Sequence, residues 1–220
     1  MGAIHSTLRK SLSDMFSALK SRKKVTLAIL GLDSSGKSSL VNLFQTNPLP
    51  TYPTMGFSFE EITFANTSIK IWDIGGQKEF ISYWKQYVDG IDGLVFMIDI
   101  ADEKRFRDSF EGFKALIPHL KDGLSVLLFL NKTDLLADNN EIERRTNEIE
   151  TLFHVDNTRS SVDSYIKFDN SMFKSRISKI SVKNDLGRME KEATFTIQHS
   201  SVYPGFKWLI DDLKSNESRS

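Results

Sequence analysis

Gly31-Leu32-Asp33-Ser34-Ser35-Gly36-Lys37-Ser38 follows the apolar run Val25 to Leu30 and fits the phosphate-loop pattern G-x-x-x-x-G-K-[ST] without substitution. A buried strand, a glycine-bearing turn and the start of a helix are therefore predicted in that order. Gly31 and Gly36 permit backbone conformations that aim successive N–H groups at one point, where they can cradle an anion. Lys37 adds a point charge for the outer phosphates, and the Ser38 hydroxyl suits a Mg²⁺ ion. The helix is expected to continue through Ser39, Leu40, Val41, Leu43 and Phe44 with its positive end toward the phosphates. The expected ligand is a nucleoside triphosphate.

Working outward, strand-like runs alternate with helical patterns: Val25 to Leu30, Ile69 to Asp73, Leu94 to Asp99, Val126 to Leu130 and Phe195 to Gln198. This alternation predicts a parallel α/β sheet with helices on both faces. Phe106, Phe110, Phe113 and Ile117 share one helical face, as do Phe206, Leu209, Ile210 and Leu213, and both stripes are assigned to the core. Ligands of such sheets sit beyond the carboxyl ends of the strands, and two further motifs lie there. Trp72-Asp73-Ile74-Gly75-Gly76-Gln77 places Asp73 to hold a Mg²⁺-bound water across from Ser38, Gly76 to offer an N–H to a terminal phosphate, and Gln77 to orient an attacking water. Asn131-Lys132-Thr133-Asp134 supplies a carboxylate, Asp134, that accepts two adjacent N–H donors, a pair that guanine presents and adenine does not. Asn131 can brace the base and its neighbouring loops while the stem of Lys132 covers its face.

With 220 residues, 40% hydrophobic and 26% charged, the chain can build one large domain with a full core. Lys+Arg 29 against Asp+Glu 29 gives no electrostatic argument for a nucleic-acid partner. Cysteine is absent, which excludes disulfides, thiolate metal sites, a cysteine nucleophile and prenylation. No apolar stretch has the length of a bilayer-spanning helix or the character of a secretory signal. Met1-Gly2-Ala3-Ile4-His5-Ser6 fits the N-myristoylation pattern at Gly2. Ile4, Leu8, Leu12, Met15, Phe16 and Leu19 fall on one helical arc, so residues 1–22 read as an amphipathic membrane helix. Lys20, Arg22, Lys23 and Lys24 add attraction to anionic lipid.

The chain resembles the small GTPases, and within them the ADP-ribosylation factor (Arf) family with its Arf-like members. The resemblance rests on Gly-Leu-Asp-x-x-Gly-Lys at Gly31 to Lys37, Pro-Thr-x-Gly-Phe at Pro53 to Phe57, and Trp-Asp-x-Gly-Gly-Gln at Trp72 to Gln77. It runs from about Lys24 to Asp134 and resumes from Phe195 to Leu213. It implies a Ras-like P-loop G domain over 23–216 with a mostly parallel six-stranded sheet, and a phosphate cradle made by Gly31, Leu32, Asp33, Ser34, Ser35, Gly36, Lys37, Ser38 and Ser39. It implies that Thr54 meets Mg²⁺ and senses the γ-phosphate, that Gln77, Lys37 and Thr54 carry catalysis, and that Ser38, Thr54 and Asp73 form the metal set. Phe57, Trp72 and Tyr87 would form an exposed aromatic triad read by effectors.

Two departures from the family pattern stand out. A Cys-Ala or Ser-Ala pair usually completes the base site after the last strand, and His199-Ser200-Ser201-Val202 occupies that place, so Ser201 and Val202 are assigned to guanine binding. The chain is also longer than the family between Asp134 and Ser201, and the excess is placed at 156–192 as a peripheral insertion. The resulting expectation is a switch that hydrolyses GTP, cycles between a soluble GDP form and a membrane-bound GTP form, and recruits effectors or coat proteins in vesicle trafficking. Its partners would be an exchange factor, an activating protein and a membrane surface, with no nucleic acid. Its location would be the cytosolic face of an endomembrane such as the Golgi. A nucleotide-loaded scaffold with little hydrolysis is the alternative, and a P-loop kinase or ATPase conflicts with Asp134.

Overall fold

In the computed structural model the described residues are 24–45, 56–156, 164–168 and 171–217. Strands are β1 (Lys24–Leu30), β2 (Phe57–Phe64), β3 (Thr67–Ile74), β4 (Gly93–Asp99), β5 (Ser125–Asn131), β6 (Val155–Asp156), β7 (Ser164–Phe168) and β8 (Ser171–Lys179). Helices are α1 (Lys37–Leu43), α2 (Lys78–Ile81), α3 (Phe106–Lys114), α4 (Asn139–Leu152), α5 (Val182–Lys191) and α6 (Tyr203–Glu217). The sheet order is β2-β3-β1-β4-β5-β8-β7-β6. β3, β1, β4, β5 and β8 pair in parallel, and β2, β7 and β6 add antiparallel strands at the two edges. The α/β class and the parallel centre are as expected, while the sheet has eight strands among the described residues rather than six.

The central strands are apolar on both faces because helices cover both. Ala28, Leu30, Phe96, Ile98, Leu128 and Leu130 pack with Phe106, Phe113, Ile149 and Trp84 on one side. Leu27, Ile29, Val95, Met97, Leu127 and Phe129 pack with Leu40, Phe206, Leu209 and Ile210 on the other. Each of the Val, Leu, Ile, Phe and Met side chains among them contributes about 1.5–3 kcal/mol by leaving water. The two helical stripes read from sequence are therefore core.

Two segments differ from expectation, for one reason. Phe195 to Gln198 is not a strand: it leads into a single 3-10 turn, Ile197–His199, capped by Thr196. The sheet position next to β5 is taken by β8, whose Lys174 to Lys179 run alongside Ser125 to Leu130. The described residues of 156–192 are thus not peripheral, since Ile166 and Phe173 are buried in the core. The added chain length relative to a direct β8-to-α6 connection lies in α5 and the following residues up to Val202.

Candidate functional site

The P-loop leaves β1 through Gly31 and reaches Lys37 by a tight path. Gly31 has φ +143° and Gly36 φ +99°, and Ser34 also takes a positive φ of 59°. A Cβ on Gly31 would stand 2.2 Å from the Met97 carbonyl oxygen, and one on Gly36 2.2 Å from the Asn131 amide nitrogen, so both positions exclude a side chain by conformation and by space. Lys37 is buried and donates Nζ to the Gly31 and Leu32 carbonyls at 2.9 Å each. Burial lowers its pKa to about 8, against the opposing pull of Asp73 and Asp33. Ser38 Oγ donates to Asp73 Oδ2 at 2.7 Å, which joins the start of α1 to the end of β3.

Gly76 faces the P-loop from the other side. Its carbonyl accepts the Asp33 N–H at 2.9 Å, and a Cβ there would meet Asp33 N and the Leu32 carbonyl carbon at 2.3 Å. Gly75 is held by Trp84, whose buried indole Nε1 donates to its carbonyl at 2.9 Å. Gln77 follows and caps α2 with its backbone, accepting the Phe80 N–H through its carbonyl at 2.9 Å.

At the neighbouring strand end, Asn131 donates Nδ2 to the Ser35 carbonyl at 2.8 Å and accepts the Val182 N–H at 3.1 Å. Lys132 takes φ 72° and pairs its ammonium with Asp99 at 2.7 Å. Asp134 Oδ1 accepts from Ser181 Oγ at 2.6 Å. These elements border one cleft of about 850 Å³, lined by Asp33, Ser34, Gly36, Lys37, Ser38, Ser39, Gly76 and Gln77 at one end and by Asn131, Lys132 and Asp134 at the other. An elongated ligand with a charged tail and a flat head fits that distribution.

Not every expected residue borders the cleft. Gly31, Leu32 and Ser35 form the buried back of the loop. Asp73 is buried and reaches the site through Ser38. Thr54, Gly2 and the amphipathic segment 1–22 lie outside the described residues. Ser201 and Val202 do not line the cleft: Val202 is fully buried in the core, and Ser201 bonds to Asp185. Ser181-Val182-Lys183, separated from the end of β8 by one residue, lie beside Asp134 instead. Val182 and Lys183 line the cleft, as do Gly75, Leu135, Leu186, Gly187 and Glu190, which sequence reading missed. The Ser-x-Lys at Ser181 to Lys183 was the available signal.

Phe57, Trp72 and Tyr87 do meet at the surface. Ring centroids lie 5.9 Å apart for Phe57 and Trp72, 5.2 Å for Phe57 and Tyr87, and 5.9 Å for Trp72 and Tyr87. Phe57 is 53% exposed, and Phe59 joins the group 5.0 Å from Trp72. The β2–β3 hairpin turns at Ala65-Asn66, both at positive φ.

The sequence profile of the ADP-ribosylation factor family matches residues 12–213. An ADP-ribosylation factor of Encephalitozoon cuniculi (strain GB-M1) is 33% identical over 144 residues, covering 65% of this chain and 68% of that protein. Among solved structures, the Arl6 BBS3 small GTPase from Trypanosoma brucei with bound nucleotide analogue GppNp superposes with a TM-score of 0.60 at 22% identity, over 88% of this chain and 99% of its own. The ADP-ribosylation factor-like GTP-binding protein, the small COPII coat GTPase SAR1, from Encephalitozoon cuniculi in complex with GDP gives 0.63 at 20% identity over 99% and 94%. The two solved structures share the fold. On the family match and the E. cuniculi relative, this chain belongs to the ADP-ribosylation factor family of small GTPases, a GTP-binding switch and GTP hydrolase.

Proposed function

We propose that the protein is a membrane-cycling switch whose GTP form docks on a cytosolic membrane face and recruits effectors in vesicle trafficking. The observation that carries the nucleotide chemistry is the single cleft joining Lys37 and Gly76-Gln77 to Asp134. The buried Lys37 ammonium neutralises the outer phosphates, the Gly76 N–H is offered to the terminal one, and Asp134 selects guanine. Gln77, at the edge of the same cleft, orients the attacking water.

Ser38 and Asp73 fit a Mg²⁺ ion: a hydroxyl and one carboxylate, already 2.7 Å apart, are the hard oxygen donors this ion takes, with phosphate and water completing its shell. Among the described residues no three His, Cys, Asp or Glu side chains cluster as an all-protein metal cage, and a phosphate-bound Mg²⁺ needs none. Bound there, the ion would neutralise charge on the phosphates, with Thr54 proposed as its second hydroxyl ligand. No arginine of the switch stretches supplies the remaining charge, so hydrolysis is slow alone. A partner's arginine would accelerate it ~10³–10⁵-fold.

Membrane attachment rests on Gly2 and the apolar arc of residues 1–22, since one acyl chain needs a second signal to anchor stably. No helix among the described residues is long and apolar enough to cross a membrane. The coupling of nucleotide to membrane would run through the β2–β3 hairpin, whose turn carbonyl at Ala65 accepts from Lys214 Nζ of α6 at 2.9 Å. A shift of the hairpin would expel the N-terminal helix, and by linkage lipid would favour GTP.

Single-turnover hydrolysis of bound GTP, with and without cell extract, tests the switch; hydrolysis absent under both conditions would favour the scaffold alternative. Co-sedimentation with liposomes should rise when GDP is replaced by a non-hydrolysable GTP analogue. Equal sedimentation in the two states would remove the coupling.

A further inference from the structure

Beside the base end of the cleft, Ser201 sits at a hydrogen-bond junction that no step of hydrolysis uses. Its hydroxyl donates to Asp185 Oδ2 at 2.6 Å, and its backbone N–H donates to the same oxygen at 2.9 Å. The Ser201 oxygen in turn accepts the backbone N–H of Ser181 at 3.1 Å. Ser181 passes the connection on: its Oγ donates to Asp134 Oδ1 at 2.6 Å and accepts the Asn184 N–H at 3.2 Å. One chain of bonds therefore runs from Asp185 through Ser201 and Ser181 to Asp134.

The position of Asp185 calls for a reason. It is 4% exposed on α5, and a carboxylate is costly to bury unless charge-assisted donors satisfy it. Ser201 supplies two of them. The arrangement ties the start of α5 to the residues just before α6, and the tie passes directly behind the base-reading loop. It also constrains Ser181 at both ends: Ser201 pins the peptide N–H while Asp134 takes the single hydroxyl hydrogen.

We propose that Asp185 and Ser201 are positioning residues for guanine recognition, acting through Ser181 to hold the Asp134 carboxylate in the orientation that accepts the base, and so setting how long a guanine nucleotide stays bound. The proposal rests on the reading of Asp134 as the group that selects guanine. The phosphate end keeps its own bonds, Lys37 on the loop carbonyls, Gly76 on Asp33 and Asn131 on Ser35, none of which passes through Ser201 or Asp185, so loosening the relay weakens the grip on the base and leaves the phosphate grip and the chemical step alone. Ser201 thus serves guanine binding at one remove, without touching the ligand.

The test uses the full chain, with release of a fluorescent GDP and competition by inorganic tripolyphosphate, which engages the phosphate loop only. Ser201→Ala and Asp185→Ala should each release GDP about tenfold faster, the size of one lost hydrogen-bond link, with tripolyphosphate affinity and single-turnover hydrolysis of bound GTP unchanged. Ser201→Thr keeps the hydroxyl and should release GDP at close to the wild-type rate. The double variant should be no faster than the faster single one, because both act on one link. Wild-type release rates in Ser201→Ala would overturn the proposal, as would a loss of tripolyphosphate binding in proportion to GDP, which would mark general loosening. A wild-type protein that prefers GDP no more than tripolyphosphate would overturn the reading of Asp134 itself and the proposal with it, so the two failures are distinct.

Discussion

The Asn131 amide donates to the Ser35 carbonyl at 2.8 Å across 96 positions of sequence, while its oxygen accepts from Val182. One side chain thus fastens the phosphate loop to the base loop through two backbone groups. Asn131→Ala leaves both groups unpaired in a buried setting, at about 1–3 kcal/mol each. It should lower the melting temperature and weaken GDP by more than about tenfold. Thermal unfolding with and without GDP measures both, and a variant that melts and binds like wild type would contradict this role.

Base choice should reside in Asp134. Asp134→Asn replaces one acceptor by a donor, so it should weaken GTP without comparable loss for xanthosine triphosphate, whose base carries an acceptor where guanine has an amine. Parallel titrations of the two nucleotides decide this; equal loss for both would count against it.

Gln77 carries its hairpin-to-helix geometry in its backbone, through the bond from Phe80 N–H to its carbonyl. Gln77→Leu should therefore fold and bind GTP normally while hydrolysis with saturating activating protein falls about 10²-fold, the cost of a mispositioned water. Unchanged activated hydrolysis would point to the scaffold alternative.

Lys37 gives affinity a pH dependence of defined sign. Burial holds its pKa at about 8, below the usual 10.5, and a bound phosphate favours the charged form, so binding takes up a proton once the pH exceeds about 8. The affinity of nucleotide-stripped protein for GDP should be flat below pH 8 and fall above it, by up to about tenfold per unit. Lys37→Met shares any titration of the base and should lack this component. Parallel slopes for the two proteins between pH 8 and 9 would refute it.

Phe173 is fully buried on β8, packed in the same core as Phe153 and Ile166. Phe173→Ala should cost about 3–5 kcal/mol, and replacing 156–192 by a short linker should abolish folding, because it deletes the strand that pairs with β5. Denaturant unfolding of the first and solubility of the second provide the measurements.

The sequence alone determined the phosphate loop, the Asp73 to Gln77 turn and the Asn131 to Asp134 loop, because each is a local pattern at the end of a strand apolar enough to be recognised by composition. It also determined the core stripes of α3 and α6, where periodicity and burial coincide. Only the tertiary structure decided which segment is the last central strand. β8 reads Ser-Met-Phe-Lys-Ser-Arg-Ile-Ser-Lys, and one of its fully buried positions is Ser175, satisfied by the Ser164 hydroxyl of the neighbouring strand rather than by apolar packing. A strand whose buried face is partly polar carries no hydrophobic signature, whereas Phe195 to Gln198 carries one without having a sheet edge to join. Once that strand was misplaced along the chain, so was the loop that follows it: Val182 and Lys183 reach the cleft because β8 ends beside β5, a long-range pairing that no local pattern encodes.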